Sequence, residues 1–176
     1  IPSVARYNEY LKNQLVAAGK AALADLKEAR IYVTDIETAG LNFVRRYVLE
    51  DGTYAGDNYG HFRESPIKCH ESEADRKLQL VKFVREGCAD VILANFQGHP
   101  LRGTSATDTN VHADVPGIFR EELEEELDVQ SIYFSGSSGN VALNSAIPSE
   151  AEKQPADYKA QGKALAKYVI KAEDSY

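Results

Sequence analysis

Two neighbouring runs, Leu78 to Val84 and Val91 to Phe96, restrict the fold more than any other feature of the sequence. They are joined at Glu86-Gly87, and so short a connection suits an antiparallel pair, because a parallel crossover needs about a dozen residues or more. The second run, Val-Ile-Leu-Ala-Asn-Phe, is almost continuously apolar and does not alternate, which is the pattern of a central strand. A strand of that kind needs layers around it. A chain of 176 residues has room for one such core. We therefore expect one domain over residues 1–176, of α/β class, with a layered α/β/α arrangement around a mixed, mostly buried β-sheet.

The flanking segments supply the other elements. Between Ser3 and Glu28, Val4, Tyr7, Leu11, Leu15, Ala18, Ala22 and Leu26 recur at spacings of three and four, one face of a helix that Ser3 would cap. Ile31 to Ile36 and Leu41 to Leu49 read as strands, separated by Ala39-Gly40 and closed by Asp51-Gly52. The stretch from Thr53 to Asp75 is polar and without a period, and reads as a long surface loop. Asp114 is placed to cap a helix with Pro116 in its first turn and Val115, Ile118, Phe119, Leu123 and Leu127 on one face. The acidic run Glu121 to Glu126 would be its solvated side. Ser131 to Phe134 reads as a strand, Gly136 to Gly139 as a tight loop, and Pro155 as the start of a last helix carrying Tyr158, Leu165, Tyr168 and Val169.

Charge and cysteine content narrow the partners. A formal charge of −7 disfavours nucleic acid and anionic membrane surfaces, which would repel the chain. No apolar run reaches the ~20 residues of a membrane span. Cys69 and Cys88 match neither a CxxC redox motif nor a zinc knot, so free thiols in a reducing, cytoplasmic compartment are expected.

Chemistry is expected where loops leave the ends of central strands. In Asn95-Phe-Gln-Gly-His99-Pro100, the proline biases His99 towards an extended conformation, so its ring can project from the strand end as a metal ligand or proton carrier. A hydrogen-bonded histidine closing a loop is the plainer reading. His112 and Asp114, two apart at a helix start, would with His99 make a two-histidine, one-carboxylate metal site, although capping alone is reason enough for Asp114. Phe134-Ser-Gly-Ser-Ser-Gly-Asn-Val141 is a strand ending in small residues, whose backbone amides can approach an anion or make an ordinary turn.

Taken in order, these segments resemble the catalytic domain of the neutral/alkaline ceramidase family, zinc-dependent amide hydrolases with a layered α/β catalytic domain. Asn95, Phe96, His99 and Pro100 match the strand that ends in a zinc-binding histidine; Ala113, Asp114 and Gly117 match the step that opens a helix; Gly139, Val141 and Asn144 match the Gly-Asp-Val-Ser-Pro-Asn segment. Arg45-Arg46 after Asn42 resembles an Asn-Arg segment before that core, so the likeness runs from Asn42 to about Lys171. The resemblance implies His99 as a zinc ligand and a small-molecule substrate. Arg46 and Asn95 would line the pocket with Ser137, Ser138 and Asn140, the Gly136 to Asn140 loop offering amides to a developing oxyanion.

The departures bear on the activity. Ala142 stands where the family has Ser, Asn140 where it has Asp and Leu143 where it has Pro, so the catalytic group is unassigned. The family's upstream His-x-His-Ser-Gly segment and its downstream Glu and Tyr ligands have no counterpart in the sequence. A catalytic zinc takes about three protein ligands. The resemblance therefore implies a portion of a larger hydrolase, with zinc in the parent protein and none in this chain alone, and the remainder of the parent chain as its partner. The alternative is a noncatalytic module that keeps the fold and binds a ligand or partner in the same cleft.

Overall fold

In a computed structural model of the chain, the structure is described for residues 4–56, 65–103 and 111–173. The cap expected at Ser3 and residues 57–64 of the expected loop lie outside these residues.

The hairpin read from the sequence forms the centre of the fold. Strand β1 (Ala29–Glu37), β6 (Lys77–Arg85), β7 (Val91–Phe96) and β8 (Gln130–Ser135) make one sheet in the order β1-β6-β7-β8. The first two junctions are antiparallel and β7 with β8 is parallel, so the sheet is mixed and β7 is internal, as expected. Gly87, at φ +72°, makes the β6–β7 turn where a side chain would be strained.

Because side chains alternate along a strand, this register sorts the sheet into two faces. Leu78, Leu80, Ile92, Ala94 and Phe96 point to one side, where helices α2 (Asp114–Leu127) and α4 (Tyr158–Glu173) cover them. Val115, Phe119 and Leu123 of α2 meet Leu165, Ala166 and Val169 of α4 there, all within 1% of complete burial. On the other side the row Val33, Val81, Leu93 and Ile132 lies next to Ile31, Phe83 and Val91, with Phe134 in the adjoining row. Ile31, Val33, Ile132 and Phe134 of this face are exposed. Helix α1 (Val4–Ala24) forms as its spacing requires, but every one of its residues is exposed.

Three local expectations are corrected, and one helix is added. Leu41 to Leu49 is two strands broken at Arg45: β2 (Phe43–Val44) pairs with β9 (Val141–Ala142), and β3 (Arg46–Leu49) joins β4 (Tyr54–Gly56) and β5 (Ile67–His70). Residues 53–75 thus contribute two strands and are not all loop. Pro155 does not begin the last helix; Asp157 caps it, its carboxylate accepting the Ala160 amide at 2.8 Å. A four-residue helix, α3 (Pro148–Ala151), precedes it with Pro148 in its first turn.

Candidate functional site

The site is built where β7 ends against the loop between β8 and β9. Gly98 has φ +145°, and a Cβ there would lie 2.4 Å from Leu143 Cδ2, so only glycine lets the chain close onto Leu143. That approach sets His99 alongside Ala142 in a parallel bridge, with the His99 amide donating to the Val141 carbonyl at 2.8 Å. The loop is tied to the same strand end. The Gly136 amide donates to the Phe96 carbonyl at 2.9 Å, and the Gln97 side-chain oxygen accepts the Ser137 amide. His99 therefore stands at the C-terminal edge of an internal strand, next to the small-residue loop.

Arg45 closes the arrangement. Its guanidinium donates to the Gly139 carbonyl from Nε at 3.1 Å and Nη2 at 2.6 Å, and its backbone amide donates to Asn140 O at 2.8 Å. Asn42, 2% exposed, donates through Nδ2 to the carbonyls of Asp75 at 2.7 Å and Gln97 at 3.0 Å. Its Oδ1 is buried without a hydrogen-bond partner among the described residues. Asn42, Arg45 and Gln97 thus hold the loop and the strand end together, a part that the sequence pattern does not assign to them.

The remaining candidates separate. Arg46 points elsewhere, pairing with Glu71 at 3.2 Å and lying 5.2 Å over the Tyr54 ring. Asn95 belongs to the uncovered face, in the row of Gln79 and Phe134. Ser137, Ser138 and Asn140 lie in the loop beside Gln97 and Arg45.

His112 and Asp114 form a second cluster at the start of α2. Asp114 has φ +52° and is 6% exposed, and Ala113 holds the N-cap position with no side-chain cap bond. The Asp114 carboxylate reaches backwards instead: Oδ2 accepts the Gly103 amide at 2.6 Å and Oδ1 accepts the amides of Arg102 at 3.3 Å and Val115 at 2.7 Å. His112 Nδ1 accepts the Asp114 amide at 3.1 Å, Nε2 donates to the Gly103 carbonyl at 3.3 Å, and the ring stacks on Tyr158. Arg102 spans to α4, donating to Gln161 Oε1 at 2.9 Å; burial lowers its pKa while Asp157 and Asp114 oppose this. Tyr133 is half-buried with its hydroxyl out of contact with solvent, and burial first, then the Asp114 charge, raise its pKa well above the phenol value. Among the described residues no three His, Cys, Asp or Glu side chains come together as a metal-binding group.

A third cluster was not foreseen. His70 Nδ1 donates to the Val44 carbonyl at 2.5 Å, Nε2 faces Glu150 Oε2 at 2.7 Å, and Ser145 Oγ lies 3.3 Å from Nε2. Carbonyl and carboxylate oxygens only accept, so both bonds are complete when the ring carries both protons. Phe43 and Tyr47 flank the ring, and Tyr47 Oη accepts the Ala146 amide at 3.1 Å.

A mixed sheet with helices on one face and a histidine at an internal strand's end, bridged to a glycine- and serine-rich loop, makes this an α/β domain of ceramidase-like fold. The solved structures it resembles are a ceramidase complexed with C2, at a TM-score of 0.58 over 86% of this chain, and the neutral ceramidase of Pseudomonas aeruginosa, at 0.60 over 89%. Identity is 13% in both, so the likeness is one of fold. The chain spans only 23% and 24% of those two proteins. No family model matches the sequence, and no curated protein does.

Proposed function

We propose that the chain is one portion of a zinc-dependent amide hydrolase resembling neutral ceramidase, incomplete and inactive alone. The observation that carries this reading is His99: a backbone bridge to Ala142 holds it at an internal strand's end, beside a loop pinned by Arg45 and Gln97. The bridge fixes the backbone from which the imidazole projects, which limits where a ligand's nitrogen can stand.

The described residues do not by themselves fit a zinc ion. His112 engages a backbone group through each ring nitrogen, and Asp114 accepts three backbone amides. In this reading His99 gives one imidazole and the other ligands come from segments outside the sequence. Ser137, Ser138 and Asn140 flank the substrate, a small molecule with an amide bond. Ala142 brings no hydroxyl, so the chain supplies no nucleophile at that position.

The test is elemental analysis after dialysis against trace zinc, with an N-acyl amide assay beside it. This chain should retain far less than one equivalent and cleave nothing. A longer chain that includes upstream histidines should retain about one equivalent, as a site with three protein ligands does. His99→Ala should abolish zinc binding in the longer chain and change the stability of this one by less than ~0.5 kcal/mol. Tight zinc in this chain, lost on His112→Ala or Asp114→Asn, would overturn the ligand assignment. A longer chain without an upstream His-x-His segment would sink the metalloenzyme reading and leave a noncatalytic binding module.

A further inference from the structure

Among the described residues, two surfaces have no layer packed on them, and they fit each other. Helix α1 carries Val4, Tyr7, Leu11, Leu15, Ala18 and Ala22 along one stripe, and Leu15 is 65% exposed. The sheet face opposite α2 and α4 carries Ile31, Val33, Val81, Phe83, Val91, Leu93, Ile132 and Phe134 in adjacent rows, with Val33 76% exposed. Contiguous apolar surface of this kind marks an interaction site. We propose that two copies of the chain pair by arm exchange, each seating its α1 on the other's uncovered sheet face. The inference goes beyond the proposed chemistry and does not rest on it.

Dimensions, anchoring and charge argue for this occupant. A 21-residue helix is about 31 Å long at 1.5 Å per residue, and the nine residues of β1 span about 30 Å, so the stripe matches the face along the strand direction. The root of the arm is fixed on the same side of the sheet. Arg85, which shares the uncovered face with Phe83, donates from Nη1 to the Asp25 carboxylate at 2.6 Å and to the Asp25 carbonyl at 3.4 Å. Only Leu26 to Glu28 then separate Asp25 from β1, and a short pinned hinge favours exchange between copies over folding back. The arm holds Arg6, Lys12 and Lys20 against Glu9 in a chain of formal charge −7, so arm and body attract at long range.

Sedimentation equilibrium of the chain tests the proposal, with a dimer expected at micromolar concentration. Leu15→Glu and Val33→Glu should each weaken it at least about thirtyfold, since each puts a charge in the apolar contact. Asn13→Glu makes the same charge change on the opposite side of the helix and should leave the dimer intact. Mixing the Leu15→Glu and Val33→Glu chains should restore a heterodimer, because one good arm still meets one good face; this outcome also shows that both variants fold. In a background with Cys69 and Cys88 changed to Ser, Leu15→Cys with Val33→Cys should give a covalent dimer on oxidation. A monomer at every concentration, a dimer indifferent to both glutamates, or a disulfide closing within one chain would each overturn the proposal.

Discussion

Helices α1 and α2 obey the same spacing rule and meet opposite fates. In α2, Val115, Phe119 and Leu123 are fully buried; in α1, Val4, Leu15 and Leu23 stay between 65% and 76% exposed. The difference does not lie in the stripes. It lies in what the rest of the chain brings to them: α2 meets Ile92, Ala94 and Phe96 of the sheet and Leu165 and Val169 of α4, while no layer among the described residues buries any residue of α1. Periodicity specifies that a face is to be buried, and the partner is specified elsewhere.

The largest expected effect sharpens that contrast. Phe119→Ala should cost about 3–5 kcal/mol, the transfer loss plus the cavity left between sheet and α4. Leu15→Ala, measured by denaturant unfolding at dilution where the chain is monomeric, should stay within about 0.5 kcal/mol. A cost for Leu15→Ala approaching that of Phe119→Ala would mean that α1 is packed against its own chain.

Two glycines test the same contrast with one chemistry. Both sit inside helices, where alanine is intrinsically better by about 1 kcal/mol. At Gly162 a Cβ would lie 2.6 Å from Ile118 Cβ and 3.0 Å from the Val115 carbonyl, so the glycine is what lets α4 approach α2. Gly162→Ala should therefore destabilise by about 1–3 kcal/mol in spite of the gain in propensity. A Cβ at Gly19 would meet nothing within 4 Å beyond the helix's own backbone, and Gly19→Ala should raise the helix content of α1 by circular dichroism and slow its amide exchange. Equal signs for the two substitutions would break the comparison.

What the sequence disclosed follows from the same physics. Runs long enough to show a period were legible: the β6–β7 hairpin, the internal place of β7, both faces of α2, and His99 at a strand end. The missed strands, β4, β5 and β9, are two to four residues long, and β5 reads Ile-Lys-Cys-His, which carries no alternation. Which of Arg45 and Arg46 meets the Gly136 to Asn140 loop was not legible for a related reason. Adjacent residues of an extended chain point to opposite sides, and the break at Arg45 that sets which is which depends on pairing with a strand almost a hundred residues away. The loop that carries Ser137, Ser138 and Asn140 was legible because glycine and serine mark a turn locally, whereas the contact of His70 with Glu150 joins residues 80 apart and leaves no local trace.

The smallest expected effect concerns α3, a helix with no buried residue, whose Glu150 is tied to the body by polar contacts. Burial pushes the Glu150 pKa up, but hydrogen bonds from Ser145 and His70 and the positive charges of His70 and Arg76 outweigh it, leaving the carboxyl below its ordinary value of 4.5. A carboxyl depressed in the folded state binds its proton more readily when unfolded, so stability rises with pH across the interval between the two pKa values. Its contribution is complete above the unfolded value and is lost as pH falls through the folded one. Glu150→Gln removes the titrating group. Unfolding midpoints should therefore differ between wild type and variant at pH 5, and the difference should shrink towards pH 3. A difference unchanged or larger at pH 3 would show that the charge on Glu150 does not hold α3, and that this helix, like α1, depends on something outside its own sequence.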